Sequence, residues 1–332
     1  MTTPALEVLI ANPYLHPDVL VYPPSGESIQ PNVGLTAYRQ EVRLGAGAYV
    51  GEMLRALARQ VEFFDSVGND MFGQWTLDEL RRLGFGTAHV EQYEGDNMVV
   101  MSVVDADSAG ATMVITCPPA WQRDYDSFAS VLAGAPPSRA VYFWSWYWSY
   151  SHPELAGAPS ADIVRRAGER SELVFLDPNW KPGGLPPAPE RDELLAALEW
   201  VDVLKLNERD AQVLIGDYQL EDTVAALLEL GPDTVVLTSG EQGSVVATAD
   251  STDLFRVPVL DTIARDTTGA GDLFGGALLD ALLDGAPPVT AAAFATAAAG
   301  LAISRDRGVP LAGREAVESA ARGILERTEA IR

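Results

Sequence analysis

The most informative stretch of the sequence is residues 266–277, which read DTTGAGDLFGGA. Gly269 and Gly271 lack side chains and Ala270 has a small one, so the backbone here is able to approach a ligand closely. Asp272 follows at the start of an apolar, helix-periodic segment. The N–H groups and dipole of a helix start suit a phosphate group. A carboxylate at that position is placed to take a proton from a hydroxyl that attacks phosphorus. The simpler alternative for Gly-Ala-Gly-Asp alone is a helix N-cap.

Apolar segments alternate with helical patterns along most of the chain. Such alternation predicts an α/β fold with a doubly wound, mostly parallel sheet flanked by helices, in which ligands bind beyond the carboxyl ends of the strands. The predicted strands are residues 8–10, 61–64, 140–143, 173–176, 201–206, 234–237 and 244–247, and the predicted helices are 71–83, 153–169, one from 208, 272–283, 289–304 and 314–328.

Part of the N-terminal third has a more polar sequence pattern than the strands and helices above. Residues 36–44 are polar and rich in long side chains, which is typical of a sheet with one wet face. Residues 98–104 and 112–116 flank a polar turn at 105–110, a pattern that predicts a β-hairpin. We therefore expect a single domain over residues 1–332 with a small β-sheet whose strands lie at about 17–44 and 88–117.

The amino-acid composition of the chain restricts the classes of molecule that it is expected to bind. The chain has 332 residues, with 23 Lys+Arg against 47 Asp+Glu and a net charge of -24. Nucleic acids and anionic membranes need a positive footprint, so neither is an expected partner. Residues 141–150 and 291–303 are the longest apolar stretches, shorter than the ~20 residues of a membrane span. The lone Cys117 and the start of the sequence, which lacks a basic signal-peptide region, predict a cytoplasmic protein.

Several segments together resemble the ribokinase (PfkB) family of carbohydrate kinases. Residues 266–272 look like its C-terminal signature, and 67–73 (VGNDMFG) resemble its Val-Gly-x-Asp-x-x-Gly turn. Residues 177–181 (DPNWK) resemble its Asp-x-Asn-x-Arg segment and 206–210 (LNERD) its Asn-x-x-Glu element. Thr238 to Gly243 resembles its Thr-x-Gly-x-x-Gly loop. The similarity covers nearly the whole chain, and the small sheet corresponds to the family's β lid.

The resemblance implies transfer of the ATP γ-phosphate to a hydroxyl of a sugar or sugar-like substrate. Asp272 would be the general base, and the N–H groups of Gly269, Ala270 and Gly271 would stabilise charge on the moving phosphoryl group. Asp210 would organise Mg²⁺ through water, and Asp266 would contribute to a K⁺ site. The implied ATP-binding residues are Lys181, Asn207, Asp210, Thr238, Gly240, Gly243 and Thr268. Since no Gly-x-x-x-x-Gly-Lys-Ser/Thr sequence occurs, a Walker-type loop is not the phosphate cradle.

The substrate residues are where the sequence departs most from the family. The Gly-Gly-x-x-x-Asn motif aligns with residues 44–49, where one glycine is missing and Tyr49 replaces the asparagine that usually holds a substrate hydroxyl. Two further departures are conservative, Lys181 for arginine and Asp210 for glutamate. The candidate substrate-binding residues are Gly45, Gly47, Tyr49, Asp18 with Asn12 as second choice, and the ring-stacking Trp144 or Trp146.

Four functions are consistent with these observations, and a carbohydrate kinase ranks first. A nucleoside kinase of the same fold is the alternative, because Tyr49 and the tryptophans favour a ring-stacking substrate. A phosphorylated sugar would need basic residues, for which Arg39 and Arg43 on the lid are the candidates. A catalytically silent binding protein and a dinucleotide-binding dehydrogenase, with Gly45 to Gly51 as its fingerprint and Asp65 behind it, rank lower. We also expect a homodimer formed through the lid.

Overall fold

The structure is a computed structural model. It describes residues 6–11, 15–25, 32, 34–45, 47–104, 111–116, 137–144, 160–179, 188–216, 219–305 and 309–331.

Most strands of this described part form one large sheet with the order β14-β13-β12-β11-β10-β9-β8-β1-β4-β5. The run from β11 to β5 is parallel, and β12 to β14 continue it antiparallel. This confirms the predicted doubly wound, mostly parallel sheet. The strands are β1 (Leu6–Ala11), β4 (Val61–Gly68), β5 (Gly86–Tyr93), β8 (Ser138–Trp144), β9 (Ser171–Asp177), β10 (Val203–Asn207), β11 (Thr234–Thr238), β12 (Ser244–Thr248), β13 (Phe255–Val257) and β14 (Glu329–Ala330).

Helices cover both faces of this sheet, because its central strands are apolar on both sides. In β1, Val8 and Ile10 join one buried cluster while Leu9 and Ala11 join the other, as the two-residue period of a strand requires. The helices are α1 (Ala48–Ala56), α2 (Met71–Arg82), α3 (Ser160–Gly168), α4 (Ala188–Ala197), α5 (Glu208–Ile215), α6 (Leu220–Leu228), α7 (Ala270–Leu283), α8 (Pro288–Ile303) and α9 (Arg314–Leu325).

Close packing of α1 on α7 depends on a glycine. A Cβ at Gly276 would lie 2.7 Å from the backbone oxygen of Val50 in α1, so any larger residue would push the two helices apart.

The strand order reverses between β1 and β8, and crevices at such switch points are where ligands bind in α/β sheets.

A second, four-stranded sheet has the order β3-β2-β6-β7. Its strands are β2 (Pro17–Tyr22), β3 (Arg39–Leu44), β6 (Val99–Val104) and β7 (Ala111–Thr116). β6 and β7 pair antiparallel, as the hairpin pattern predicts. The predicted second segment of this sheet, 88–117, starts too early, because β5 pairs with β4 in the large sheet. Within the described residues, no helix has the length and apolarity to span a membrane.

Candidate active site

Asp272 lies in the first turn of α7 with its side chain almost buried, at 8% exposure. Its Oδ1 atom accepts two hydrogen bonds, from Trp144 Nε1 at 2.7 Å and from Asn179 Nδ2 at 2.9 Å. Trp144 ends β8, and Asn179 follows the end of β9. The carboxyl ends of two neighbouring parallel strands therefore hold the predicted base in place.

The start of α7 has the backbone shape that the glycine motif predicts. Gly269 is the N-cap residue with φ +74°, the left-handed region that favours glycine. A Cβ there would also lie 3.0 Å from Cγ of Tyr49. One predicted donor needs correction, because the N–H group of Ala270 donates to the Thr267 carbonyl at 3.1 Å and closes the turn. Gly269 and Gly271 remain the predicted donors to the phosphoryl group.

A buried ion pair lies directly behind this helix start. Lys205 in β10 donates from Nζ to Oδ2 of Asp177 at 2.7 Å, and both side chains are almost inaccessible. Tyr142 donates to the same oxygen at 3.2 Å. A Cβ on Gly271 would lie only 3.3 Å from Lys205 Nζ, so the ammonium group faces the backbone of the glycine motif.

Electrostatics keep this lysine charged. Burial alone lowers the pKa of Lys205, but the carboxylates of Asp177 and Asp272 outweigh it and raise that pKa above its ordinary value. Burial, with Asp177 and Asp272 adding to it, raises the pKa of the Tyr142 hydroxyl well above its usual range, so this group stays a donor. A fixed positive charge therefore lies beside the glycine motif.

On the second sheet, Asp18 is buried and faces α1. Its Oδ2 lies 3.5 Å from Tyr49 Oη and its Oδ1 3.5 Å from Ser102 Oγ, so both hydrogen bonds are long. Burial, opposed by the charge of Arg43, raises the pKa of the Tyr49 hydroxyl well above its ordinary value. A Cβ at Gly45 would lie 2.5 Å from Nε2 of His16, which explains the glycine there. Asp18, Gly45 and Tyr49 are thus adjacent; Gly47 is the N-cap residue of α1.

The predicted nucleotide residues follow β10 and β11. Asn207 and Asp210 form a capping box at the start of α5, with Asn207 Oδ1 accepting the Asp210 N–H at 2.9 Å. Thr238 donates from Oγ1 to the Leu206 carbonyl at 3.2 Å, joining the two strand ends. Gly240 has φ +53°, and the space where a Cβ would be is open. Gly243 has φ +85°, and a Cβ there would lie 2.1 Å from the backbone oxygen of Val257.

The Asp266 loop is held to the end of α8. The N–H groups of Arg265 and Asp266 donate to the Ile303 carbonyl at 2.8 and 3.2 Å. Asp266 Oδ1 accepts the N–H of Thr268 at 3.1 Å. Among the described residues no group of three or more His, Cys, Asp or Glu side chains is arranged to hold a metal ion.

Three predicted residues, Asn12, Lys181 and Trp146, lie outside the described part of the chain. The prediction also omitted residues that the structure brings to the site, namely Lys205, Asp177, Asn179 and Tyr142. A signal for Lys205 was present, because a lysine inside the apolar strand Val203–Asn207 requires a buried partner. Asp177 and Asn179 belong to the segment that carried the resemblance.

The dehydrogenase alternative does not fit this arrangement. Gly45 and Gly47 follow β3 of the second sheet, and not a strand of the parallel sheet. Asp65 accepts the N–H groups of Leu15 and Ser66, both at 2.7 Å. The glycines therefore lack the strand-to-helix context that a dinucleotide fingerprint requires.

Taken together, the parallel sheet, the buried carboxylate at a glycine-rich helix start and the adjacent fixed charge define a phosphotransferase site. The family model of the pfkB carbohydrate kinases matches residues 27–309. The chain belongs to this family and is a carbohydrate kinase.

Individual relatives agree with this assignment. Over 229 residues the chain is 26% identical to an ATP-dependent 6-phosphofructokinase of Thermoanaerobacterium thermosaccharolyticum, a match that spans 66% of each chain. It is 27% identical over 250 residues to an aminoimidazole riboside kinase of Salmonella typhimurium, covering 71% of this chain and 72% of the relative. The solved structure of a putative ribokinase II from E. coli in complex with ATP and Mg²⁺ has the same fold, with a TM-score of 0.77 at 19% identity over 96% of this chain and 99% of that one.

Proposed function

We propose that this chain transfers the γ-phosphate of ATP to a hydroxyl of a sugar or sugar-like substrate, with Asp272 as general base. The observation that carries the proposal is the pair of N–H donors, Trp144 Nε1 and Asn179 Nδ2, on one carboxylate oxygen at the start of α7. This contact fixes the orientation of the carboxylate before the substrate binds. Pre-positioning of this kind accelerates proton transfer because the base needs no rearrangement.

In this mechanism the chain positions groups and moves one proton. Magnesium-bound ATP supplies the electrophilic phosphoryl group. Asp272 takes the proton of the acceptor hydroxyl as its oxygen bonds to the γ-phosphorus, while the bond from that phosphorus to the β,γ-bridging oxygen breaks and ADP leaves. The N–H groups of Gly269 and Gly271 and the ammonium group of Lys205 stabilise negative charge at the helix start, where it develops in phosphoryl transfer.

The site has oxygen ligands that fit a hydrated divalent cation. Oδ1 of Asp177 is buried and has no hydrogen-bond partner in the structure. A buried carboxylate oxygen without a hydrogen bond raises the free energy of the folded protein unless a cation or a water molecule binds it. Asp177 and Asp210 would therefore hold Mg²⁺ through its water shell, since Mg²⁺ prefers oxygen ligands and retains several waters.

The proposed substrate is a carbohydrate, and a nucleoside is the second candidate. Asp18 supports the first, because a buried carboxylate beside the hydroxyl groups of Tyr49 and Ser102, each at 3.5 Å, is suited to accept hydrogen bonds from substrate hydroxyls. The aromatic ring of Tyr49 supports the second through ring stacking. The matched relatives include both kinds of enzyme, a phosphofructokinase and a riboside kinase.

A K⁺ ion near Asp266 is part of the proposal. The loop carrying Asp266 adjoins Thr268 and the helix start, so a cation there would strengthen the field on the phosphoryl group. The direct measurement compares turnover in KCl and in choline chloride at equal ionic strength. Equal rates would remove K⁺ from the mechanism.

We also propose that the second sheet is a lid that joins two copies of the chain. Val42, Val19, Met101 and Val114 lie opposite one another in register and form one apolar row across all four strands of the sheet. Val42, Met101 and Val114 are 47%, 42% and 47% exposed. A cross-strand apolar row of this kind is suited to pairing with the same row of a second copy. Met101→Asp would shift the sedimentation coefficient from dimer to monomer, and a wild-type chain that sediments as a monomer would refute the proposal.

The function itself is tested with a panel of sugars and nucleosides. Wild-type protein, Asp272→Asn and the exposed-loop control Asp261→Asn would be assayed for ADP release and for phosphorylated product. We expect transfer to at least one acceptor, a loss of kcat of about 10²–10⁴-fold in Asp272→Asn and normal turnover in the control. Normal turnover in Asp272→Asn would refute the assignment of the base. Absence of transfer in the wild type would favour the silent binding protein.

A further inference from the structure

A cavity of about 840 Å³ lies outside α1, between this helix, β3, the end of α2 and the segment after α8. This volume is in the range of small-molecule sites. Neither Asp272, Trp144 nor Asp18 lines it. Tyr49 does, and its ring also faces Gly269, so this side chain stands between the cavity and the candidate active site.

The charge of the cavity is opposite to that of the chain. Overall, acidic residues outnumber basic ones by about two to one, 47 to 23. The described lining instead has more basic residues than acidic ones, namely Arg43, Arg55, Arg82 and Arg305 against Glu41, Glu52 and Asp266. Such a local reversal in an acidic protein concentrates anions at one place.

One of these arginines has a vacant binding edge. The Nε and Nη2 atoms of Arg43 are buried and have no hydrogen-bond partner within the described part of the chain. These two nitrogens form the side-on edge of the guanidinium group, which binds two oxygens of a phosphate or carboxylate at once. The group is held in place by stacking on Tyr49, with its Cζ 5.0 Å from the ring centre. A buried ionised group with an unfilled edge is unfavourable and is completed by an anion.

Two other arginines are oriented without being neutralised. Arg55 Nη1 donates to the Gly84 carbonyl at 2.7 Å and Arg305 Nη1 to the Pro310 carbonyl at 2.6 Å. A carbonyl partner fixes the guanidinium but leaves its charge uncompensated. Arg82 differs, because Glu79 binds it through two hydrogen bonds of 2.6 Å. Among the acidic residues, burial raises the pKa of the Glu52 carboxyl, although Arg43 opposes the effect.

We propose that this cavity binds a phosphate monoester with an apolar body, at a site that shares Tyr49, Asp266 and Thr268 with the candidate active site but does not include Asp272. The phosphate would occupy the side-on edge of Arg43, with Arg305 and Arg55 adding charge. The body would lie on the apolar part of the lining, which includes Phe85, Leu311 and Val309. A phosphate is favoured over a carboxylate because its dianion and extra oxygen can engage more than one of the arginines that line the cavity.

The test is calorimetric titration of the full-length chain with phenyl phosphate, benzoate and benzyl alcohol, which share an aromatic body and differ in their anionic group. We expect saturable binding in the order phenyl phosphate, benzoate, benzyl alcohol. Arg43→Met would weaken phenyl phosphate binding by about tenfold or more, the value of one charge-assisted pair of hydrogen bonds. The control Arg322→Met, at an exposed arginine of α9 outside the cavity lining, would leave it within about twofold.

Two variants locate the site and keep it distinct from the catalytic centre. Val309→Trp adds a large side chain to an exposed part of the lining and would abolish binding, while Asp272→Asn would leave it unchanged. The reverse pattern would place the probe at the catalytic centre and overturn the proposal. Absence of saturable binding, or benzoate binding more tightly than phenyl phosphate, would also overturn it. Because the readout is binding and not turnover, the result is independent of whether the proposed kinase activity is found.

Discussion

The indole Nε1 of Trp144 donates to Oδ1 of Asp272 over 2.7 Å, which joins the end of β8 to the first turn of α7. This contact gives Trp144 a role different from stacking on a substrate ring. A hydrogen bond to a charged group contributes about 1.5–3 kcal/mol, so its loss has a measurable effect on the position of the carboxylate.

Trp144→Phe tests this positioning role. Phenylalanine keeps an aromatic ring at the end of β8 but removes the N–H donor. We expect kcat to fall by about tenfold or more with KM for ATP unchanged. Steady-state kinetics would show this, with Trp200→Phe, a partly exposed indole at 43%, as the control. A rise in KM for the acceptor with normal kcat would instead assign Trp144 to substrate stacking.

Lys205→Met probes the buried charge behind the glycine motif. The substitution leaves Asp177 buried without its cation, a loss that typically costs about 3–5 kcal/mol in the free energy of unfolding. The double variant Asp177→Asn with Lys205→Met removes both charges and should recover much of that stability. We expect kcat to remain low in the double variant, because it lacks both the positive charge near Gly271 and the Asp177 carboxylate that is proposed to hold Mg²⁺. Recovery of both stability and kcat would mean that Lys205 is purely structural.

Gly275→Ala should destabilise the fold, because the new Cβ would collide with the hydroxyl oxygen of Tyr142. A Cβ at this position in α7 would lie 2.2 Å from the hydroxyl oxygen of Tyr142. We expect a loss of about 1–3 kcal/mol, the usual cost of overpacking a core. The loss should be smaller in a Tyr142→Phe background, and urea denaturation of the four combinations would measure the difference. Gly313→Ala, where no atom lies within 4 Å of the new Cβ, is the control.

Asp280 connects three parts of the chain and is completely buried. Its Oδ1 accepts from Arg59 Nε at 2.6 Å and from Arg314 Nη2 at 2.8 Å. Asp280→Ala leaves the buried Arg59 poorly compensated, and we expect a loss of about 3–5 kcal/mol in the free energy of unfolding. Asp284→Ala removes a half-exposed partner of the same arginines and should cost about 1 kcal/mol or less. Equal effects of the two substitutions would contradict this assignment.

The sequence was sufficient for the fold class and for placing Asp272, the proposed base, at a helix start. Apolar strands followed by helices repeat often enough to predict the doubly wound sheet, and the 266–277 motif places Asp272 at a helix start. The starts and ends of elements were less accurate. β5 contains only partly exposed and exposed residues and pairs at the edge of the large sheet, and the local sequence pattern does not distinguish such a strand from one of the second sheet. Short β13 and β14 carry too few residues for a periodic signal.

Contacts within the site were harder to predict because they depend on distant parts of the chain. Trp144 was proposed as a stacking residue, but its donor reaches a carboxylate 128 positions away in sequence. Lys205 and Asp177 meet only because β10 and β9 are neighbours. Ala270 was predicted to donate to a phosphoryl group, whereas the turn that starts α7 uses its N–H. Such pairings follow from strand order, which composition and local periodicity do not specify.

The late position of α7 in the chain has a consequence for biosynthesis. Asp18, Trp144 and Asn179 leave the ribosome before Asp272 does, so a growing chain acquires its substrate-side residues without a base. Val8 and Ile10 also lack the cover of α7 to α9 until then, which leaves apolar surface open to chaperones and to aggregation. Any nascent or truncated form that ends before α7 therefore lacks the proposed base, whatever it binds.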